Sequence, residues 1–68
     1  MKELTDKQAA ILQYIIDYKS ARQNSPAIRD IACQFGITVR AAYDYLSTIE
    51  RKGYIERDAK ISRGIRVV

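Results

Sequence analysis

The sequence predicts a mainly helical α+β fold: three helices followed by a two-stranded hairpin. Three observations carry this. Apolar residues recur at helical spacing in three separate stretches. The second and third stretches are separated only by Phe35-Gly36-Ile37-Thr38. After Gly53, two short β-prone runs flank a turn at Asp58 to Ser62.

The first helix opens at Leu4-Thr5-Asp6-Lys7-Gln8. Thr5 is the cap, and Gln8, three residues on, completes a capping box. Leu4 is placed to staple onto Ala9, and Asp6 puts negative charge where the helix dipole favours it. The apolar stripe runs through Ile11, Leu12, Ile15 and Ile16, and the helix is expected to end between Ala21 and Gln23. Tyr14 and Tyr18, one turn apart beside the stripe, read as boundary packing rather than a base-stacking platform.

Arg22-Gln23-Asn24-Ser25-Pro26 forms a loop, because Pro26 blocks continuation of the first helix and can begin the second. Two caps are open for the second helix. One is Ser25 with Pro26 in the first position. The other is Ala27, with Asp30 in the first turn. Ile28, Ile31, Ala32 and Phe35 share a face at i, i+3, i+4 and i+7. Gly36 stops the helix, since glycine enters the left-handed region without a side-chain penalty. Cys33 falls on the outward face. With no His and no second Cys in the chain it has no partners for a metal site, and no internal disulfide can form.

The third helix starts at Thr38, whose hydroxyl can accept from an orphan N–H of the first turn. Ala42, Tyr45, Leu46 and Ile49 share its apolar face, and Arg40, Asp44, Ser47 and Arg51 fall opposite. Two short helices joined by a tight glycine-containing turn make a helix-turn-helix, whose second helix reads the DNA major groove. Thr38, Arg40, Tyr43 and Asp44 occupy the first two turns, the part that reaches base edges. Arg40 can donate to guanine O6 and N7, and Asp44 can accept from a cytosine amino group. Tyr43 is suited to a thymine methyl, a phosphate or the edge of the core. Ser47, Arg51 and Lys52 sit farther along, toward the sugar-phosphate backbone.

Gly53 ends this helix. Tyr54 to Arg57 reads as a strand with Ile55 inward. Gly64 to Val68 reads as the return strand, with Ile65 and Val67 inward and Arg66 outward. Three helices and such a hairpin make a winged helix-turn-helix, with Lys60 and Arg63 at a basic wing tip facing a phosphate backbone or minor groove.

Charge agrees with this placement. The net charge is +4. Residues 1–35 hold five basic and four acidic side chains, and residues 36–68 hold seven and four. Arg57, Lys60, Arg63 and Arg66 stand against Asp58 alone at the C-terminal end. A basic segment beside a reading helix is the footprint phosphates attract, although a solvated surface has the same composition. No apolar run approaches the ~18 residues of a membrane span, and Met1-Lys2-Glu3 opens no signal peptide. An enzyme is disfavoured. The chain has no His and no candidate base beside Ser20, Ser25, Ser47 or Ser62. It shows no phosphate loop or metal cluster, so no catalytic residue, cofactor or small-molecule substrate is expected. A protein-interaction winged helix is the competing class, since a fold does not fix its function.

The chain resembles the N-terminal DNA-binding domain of LexA-type repressors, which control the bacterial SOS response to DNA damage. The resemblance runs from Leu4-Thr5 to Val68. It rests on Leu4-Thr5 with Gln8, Pro26 with Arg29-Asp30-Ile31-Ala32, Arg51-Lys52-Gly53-Tyr54-Ile55-Glu56, and Ser62-Arg63-Gly64-Ile65-Arg66. It implies one DNA-binding domain over residues 1–68 that binds a two-fold symmetric operator on double-stranded DNA as a dimer, in the bacterial cytoplasm and on the nucleoid. Carried over by position, Thr38, Arg40, Ala41, Tyr43 and Asp44 would face bases, and Ser47, Lys52, Lys60 and Arg63 would serve the backbone. Ala27 stands where the family usually has Ser or Thr, and Asp58-Ala59-Lys60-Ile61 lacks a glycine. Full-length members continue into a self-cleaving serine–lysine protease domain, of which nothing is present here. The chain reads as a domain cut at its boundary or as a stand-alone regulator.

Overall fold

The computed structural model describes residues 3–58 and 64–68. Three helices, α1 (Asp6–Arg22), α2 (Ile28–Phe35) and α3 (Val39–Arg51), precede two antiparallel strands, β1 (Ile55–Arg57) and β2 (Ile65–Val67). Strand register pairs Ile55 with Val67, Glu56 with Arg66 and Arg57 with Ile65. The expected order of elements is the observed one.

Local chemistry accounts for the helix ends. At α1, the Thr5 hydroxyl accepts from the Gln8 N–H at 3.2 Å, and the Gln8 side-chain oxygen accepts from the Thr5 N–H at 3.0 Å, completing the box. The α1 C-cap is Gln23 in the left-handed region, φ 60°, an uncommon conformation for a residue with a Cβ. The α2 N-cap is Ala27 rather than Ser25. Ala27 has no capping oxygen of its own, but the Asp30 carboxylate accepts from its N–H at 3.0 Å. Ser25 and Pro26 are buried. Gly36 closes α2 at φ 65°, where a Cβ would be strained even in open space. Thr38 caps α3, its hydroxyl accepting from the Ala41 N–H at 3.0 Å.

The core is built from Ile11 and Ile15 of α1, Ile31 and Ala32 of α2, Ala42, Leu46 and Ile49 of α3, and Ile55 and Ile65 of the hairpin. α2 and α3 supply the stripes that their spacing predicts. Two expectations need correction. Spacing puts Ile16 on the α1 stripe, yet it is 38% exposed, because the core face of α1 is centred on Ile11 and Ile15, with Leu12 and Tyr14 packed beside them. Alternation puts Val67 inward, yet it is 37% exposed, because it lies at the end of the sheet opposite Ile55, which takes the core position. Leu4 packs on the core cluster, while Ala9, its expected staple partner, is exposed. Tyr14 makes edge-to-face contacts with Tyr18 and Phe35 at centroid distances of 5.9 and 5.7 Å, which is boundary packing as expected. Burial pushes the Tyr14 phenol above its usual range, with the Asp30 charge adding to the effect.

The hairpin is bound to the helices along both edges. Interstrand bonds from Asp58 N–H to Gly64 C=O and from Val68 N–H to Tyr54 C=O set the alternation. By that alternation the backbone groups of Arg57 and Ile65 point away from the partner strand. Other elements meet them there. The Ile65 N–H donates to the buried Ser25 hydroxyl at 3.3 Å, and the Lys19 ammonium donates to the Ile65 carbonyl at 3.1 Å. On the other edge, the Arg57 N–H donates to Glu50 Oε2 at 3.1 Å.

Ser25→Ala leaves the Ile65 N–H buried with its acceptor removed, and the expected loss is about 1–3 kcal/mol. Chemical denaturation of parent and variant measures it. A loss under about 0.5 kcal/mol would mean that the bond contributes nothing to holding β2.

Candidate nucleic-acid interface

The outward face of α3 is held by what lies behind and beside it. Ala42, Leu46 and Ile49 are wholly buried, so the helix has one rotational setting about its own axis. That setting turns Arg40, Asp44 and Arg51 to solvent. The α2–turn–α3 unit supplies the angle, through Gly36 and the Thr38 cap.

Residues of the first two turns behave differently from those farther along. Thr38 is exposed, with its hydroxyl engaged as the cap acceptor. Ala41 is half-buried. Arg40 and Asp44 form an i,i+4 ion pair at 3.4 Å, with side chains 85% and 62% exposed. Such an exposed pair is worth under about 1 kcal/mol and gives way easily to outside partners. Tyr43 is 48% exposed, and Val39, one turn before it, is 53% exposed. Thr38, Val39, Arg40, Tyr43 and Asp44 are therefore brought together on a solvent-facing surface at the start of α3.

Two expected backbone-contacting residues are engaged inside the molecule. The Ser47 hydroxyl accepts from Arg57 Nη2 at 3.1 Å. The Lys52 ammonium donates to Gln8 Oε1 at 2.7 Å and to the Glu3 carbonyl at 2.9 Å, tying the end of α3 to the start of α1. Arg51 is exposed on the last turn. Lys60 and Arg63, expected at the wing tip, lie outside the described residues.

Sequence reasoning missed three residues here. Glu50 and Arg57 form an ion pair at 3.1 Å that joins the last turn of α3 to β1. The Arg57 guanidinium also sits 4.9 Å from the centroid of the Tyr43 ring. No periodic signal links two residues across a helix end, so this relay is not readable in the sequence. Val39 does leave a signal, because with Tyr43 it makes an apolar i,i+4 pair off the core stripe.

Residues 1–64 match the LexA DNA binding domain family. The chain belongs to that family. The LexA repressor of Leptospira biflexa is 48% identical to it over 68 residues, covering 100% of this chain and 34% of the relative. The LexA repressors of Leptospira interrogans and Thermosipho africanus are each 46% identical over the same 68 residues and shares. The chain thus spans about a third of the length of these relatives, 34% in each. Its three helices and two-stranded antiparallel sheet are those of a winged-helix LexA DNA-binding domain. The surface at the start of α3 is on the second helix of the helix-turn-helix in that domain.

Arg40→Ala is expected to relax preference at one base-pair position by about 1–3 kcal/mol while other positions keep theirs. Parallel binding curves on a panel of single-base variants would show it. Uniform weakening on every duplex would assign Arg40 to a phosphate instead.

Proposed function

We propose that this chain is the operator-reading domain of a LexA-type transcriptional repressor. It binds a two-fold symmetric site on double-stranded DNA, with one copy on each half-site. The start of α3 enters the major groove, and Thr38, Arg40, Ala41, Tyr43 and Asp44 meet base edges. Arg51, with Lys60 and Arg63 of the wing, serves the backbone. Ser47 and Lys52 reach it only by exchanging their internal bonds. Repression follows from occupying a promoter and excluding polymerase. The regulated response is the SOS response to DNA damage, and the setting is the bacterial cytoplasm and its nucleoid. The longer protein implied by the relatives' length would carry the self-cleaving domain, and these residues perform no catalysis.

One observation carries the reading of sequence rather than of phosphate alone. Asp44 stands exposed beside Arg40 at the start of α3. Phosphates repel an acid, so a surface that only neutralised phosphates would gain by lacking it. A carboxylate there makes sense against a cytosine amino group. A lone domain offers few contacts per half-site, so two copies on adjacent half-sites share the gain.

Selection of bound duplexes from a random pool, at several protein concentrations, tests this. The expected result is a short motif that appears in inverted repeat as protein rises. Salt-sensitive binding without any motif would leave a nonspecific DNA binder. No binding by folded protein at low salt would overturn the reading and favour a protein partner.

The wing is tested separately with Lys60→Ala and Arg63→Ala together. Affinity should fall on all duplexes alike. The slope of log K against log salt should flatten by about 0.9 for each phosphate that the variant no longer neutralises. Equal slopes in parent and variant would remove the wing from the interface.

A further inference from the structure

Arg57 differs from the other arginines near the proposed interface. It belongs to β1, yet its guanidinium is engaged by α3. Nε donates to Glu50 Oε1 at 3.1 Å, and Nη2 lies 3.1 Å from both that oxygen and the Ser47 hydroxyl. Its side chain is 17% exposed. An arginine placed to take a phosphate keeps its fork in solvent. This one is fixed by a carboxylate that also compensates its charge. The guanidinium carbon also lies over the Tyr43 ring, 4.9 Å from its centroid. Tyr43 stays about half exposed, and Val39 extends the apolar surface by one turn.

We propose that Arg57 is a positioning residue for base recognition. Held by Glu50 and Ser47, it sets the Tyr43 ring so that Tyr43, with Val39, presents a fixed apolar surface to a thymine C5-methyl group, and Arg57 itself touches no DNA. The proposal rests on the DNA-reading function above and names one base feature that this site would recognise. A thymine methyl is the apolar group available on a major-groove edge, and apolar side chains are what read it. A ring fixed before binding reads one position. A freely turning tyrosine would accommodate any base beside it at some entropic cost. Because Arg57 lies on the wing strand, the wing contributes to base choice through this relay, apart from any phosphate contact it makes.

The test uses the whole chain on the motif selected from the random pool. Each thymine is replaced in turn by deoxyuracil, which removes only the methyl. For the parent, one such replacement per half-site is expected to weaken binding roughly fourfold, the effect of one buried methylene-sized group. In Tyr43→Ala that ratio falls to about one, and in Arg57→Gln it does the same, with a salt slope equal to the parent's. Adding Arg57→Gln to Tyr43→Ala changes the ratio no further. Glu50→Gln, which leaves Arg57 in place but removes its anchoring charge, gives the same loss if Arg57→Gln fails to fold. Three outcomes overturn the proposal. The parent shows no methyl dependence at any thymine. Arg57→Gln or Glu50→Gln weakens all duplexes equally and keeps the methyl ratio, which is a structural role alone. Or the salt slope of Arg57→Gln flattens by about 0.9, which places Arg57 on a phosphate. A parent that binds no DNA defeats the function proposed above, and is told apart from these by the missing motif.

Discussion

The Glu50 carboxylate holds the hairpin to the helix that it flanks. It accepts from the backbone N–H of Arg57 and from the Arg57 side chain, so one acid fixes both the edge of β1 and the arginine that crosses to α3. As an ion pair the contact is only partly buried, with side chains 17% and 37% exposed, and its net stabilisation is modest. Its larger effect is geometric. A three-residue strand pair has little stability of its own, and two strands alone are marginal in water. Docking against helices gives it one orientation.

The opposite edge obeys the same constraint with different chemistry. Ser25 and Lys19 take the two outward backbone groups of Ile65. Both edges of the ribbon are therefore occupied by side chains of the helical part, and neither strand is left to template pairing with another chain at those positions. Ile55 and Ile65 form the floor of the core, with the outward N–H of Arg57 and both outward backbone groups of Ile65 bonded beside them. The loop from Asn24 to Ala27 acquires a role this way. The Ser25 hydroxyl is buried against β2, so the break between α1 and α2 is set by the wing as much as by proline.

Much of this was legible in the sequence, and the division between what was and was not is physical. Caps are local. Thr5 with Gln8, Thr38 with Ala41 and the glycine at 36 act within four residues of themselves, so their chemistry can be read in a line. Helical stripes are nearly as local, and those of α2 and α3 hold. The stripe of α1 is too wide by Ile16, since spacing gives direction and not how far a neighbour covers the face. The α2 cap is open in the sequence between Ser25 and Ala27, because the choice depends on β2 engaging Ser25 from Ile65, far along the chain. Of the proposed interface, Arg40, Tyr43 and Asp44 were legible as the outward start of α3. The relay of Glu50, Arg57 and Ser47 was not, nor was the bond from Lys52 to α1, because both join elements whose relative placement no periodicity encodes.

The same division changes the meaning of the charge. Twelve basic residues and a net +4 suggest a general cationic surface. The fold engages several of them internally: Lys19 with Ile65, Lys52 with the start of α1, and Arg57 with Glu50. Bulk charge is therefore a poor guide to where an anionic partner would sit. Arg40 is the informative case. Its ion partner, Asp44, is one turn away and also in solvent, so the pair separates at little energetic cost. In the operator-reading role proposed for α3, this adjacent arginine and aspartate would suit the guanine acceptors and cytosine donor of adjacent base pairs. On that proposed reading, an unpaired arginine would bind DNA more tightly and choose less, and the acid at Asp44 would exchange affinity on every sequence for discrimination among them.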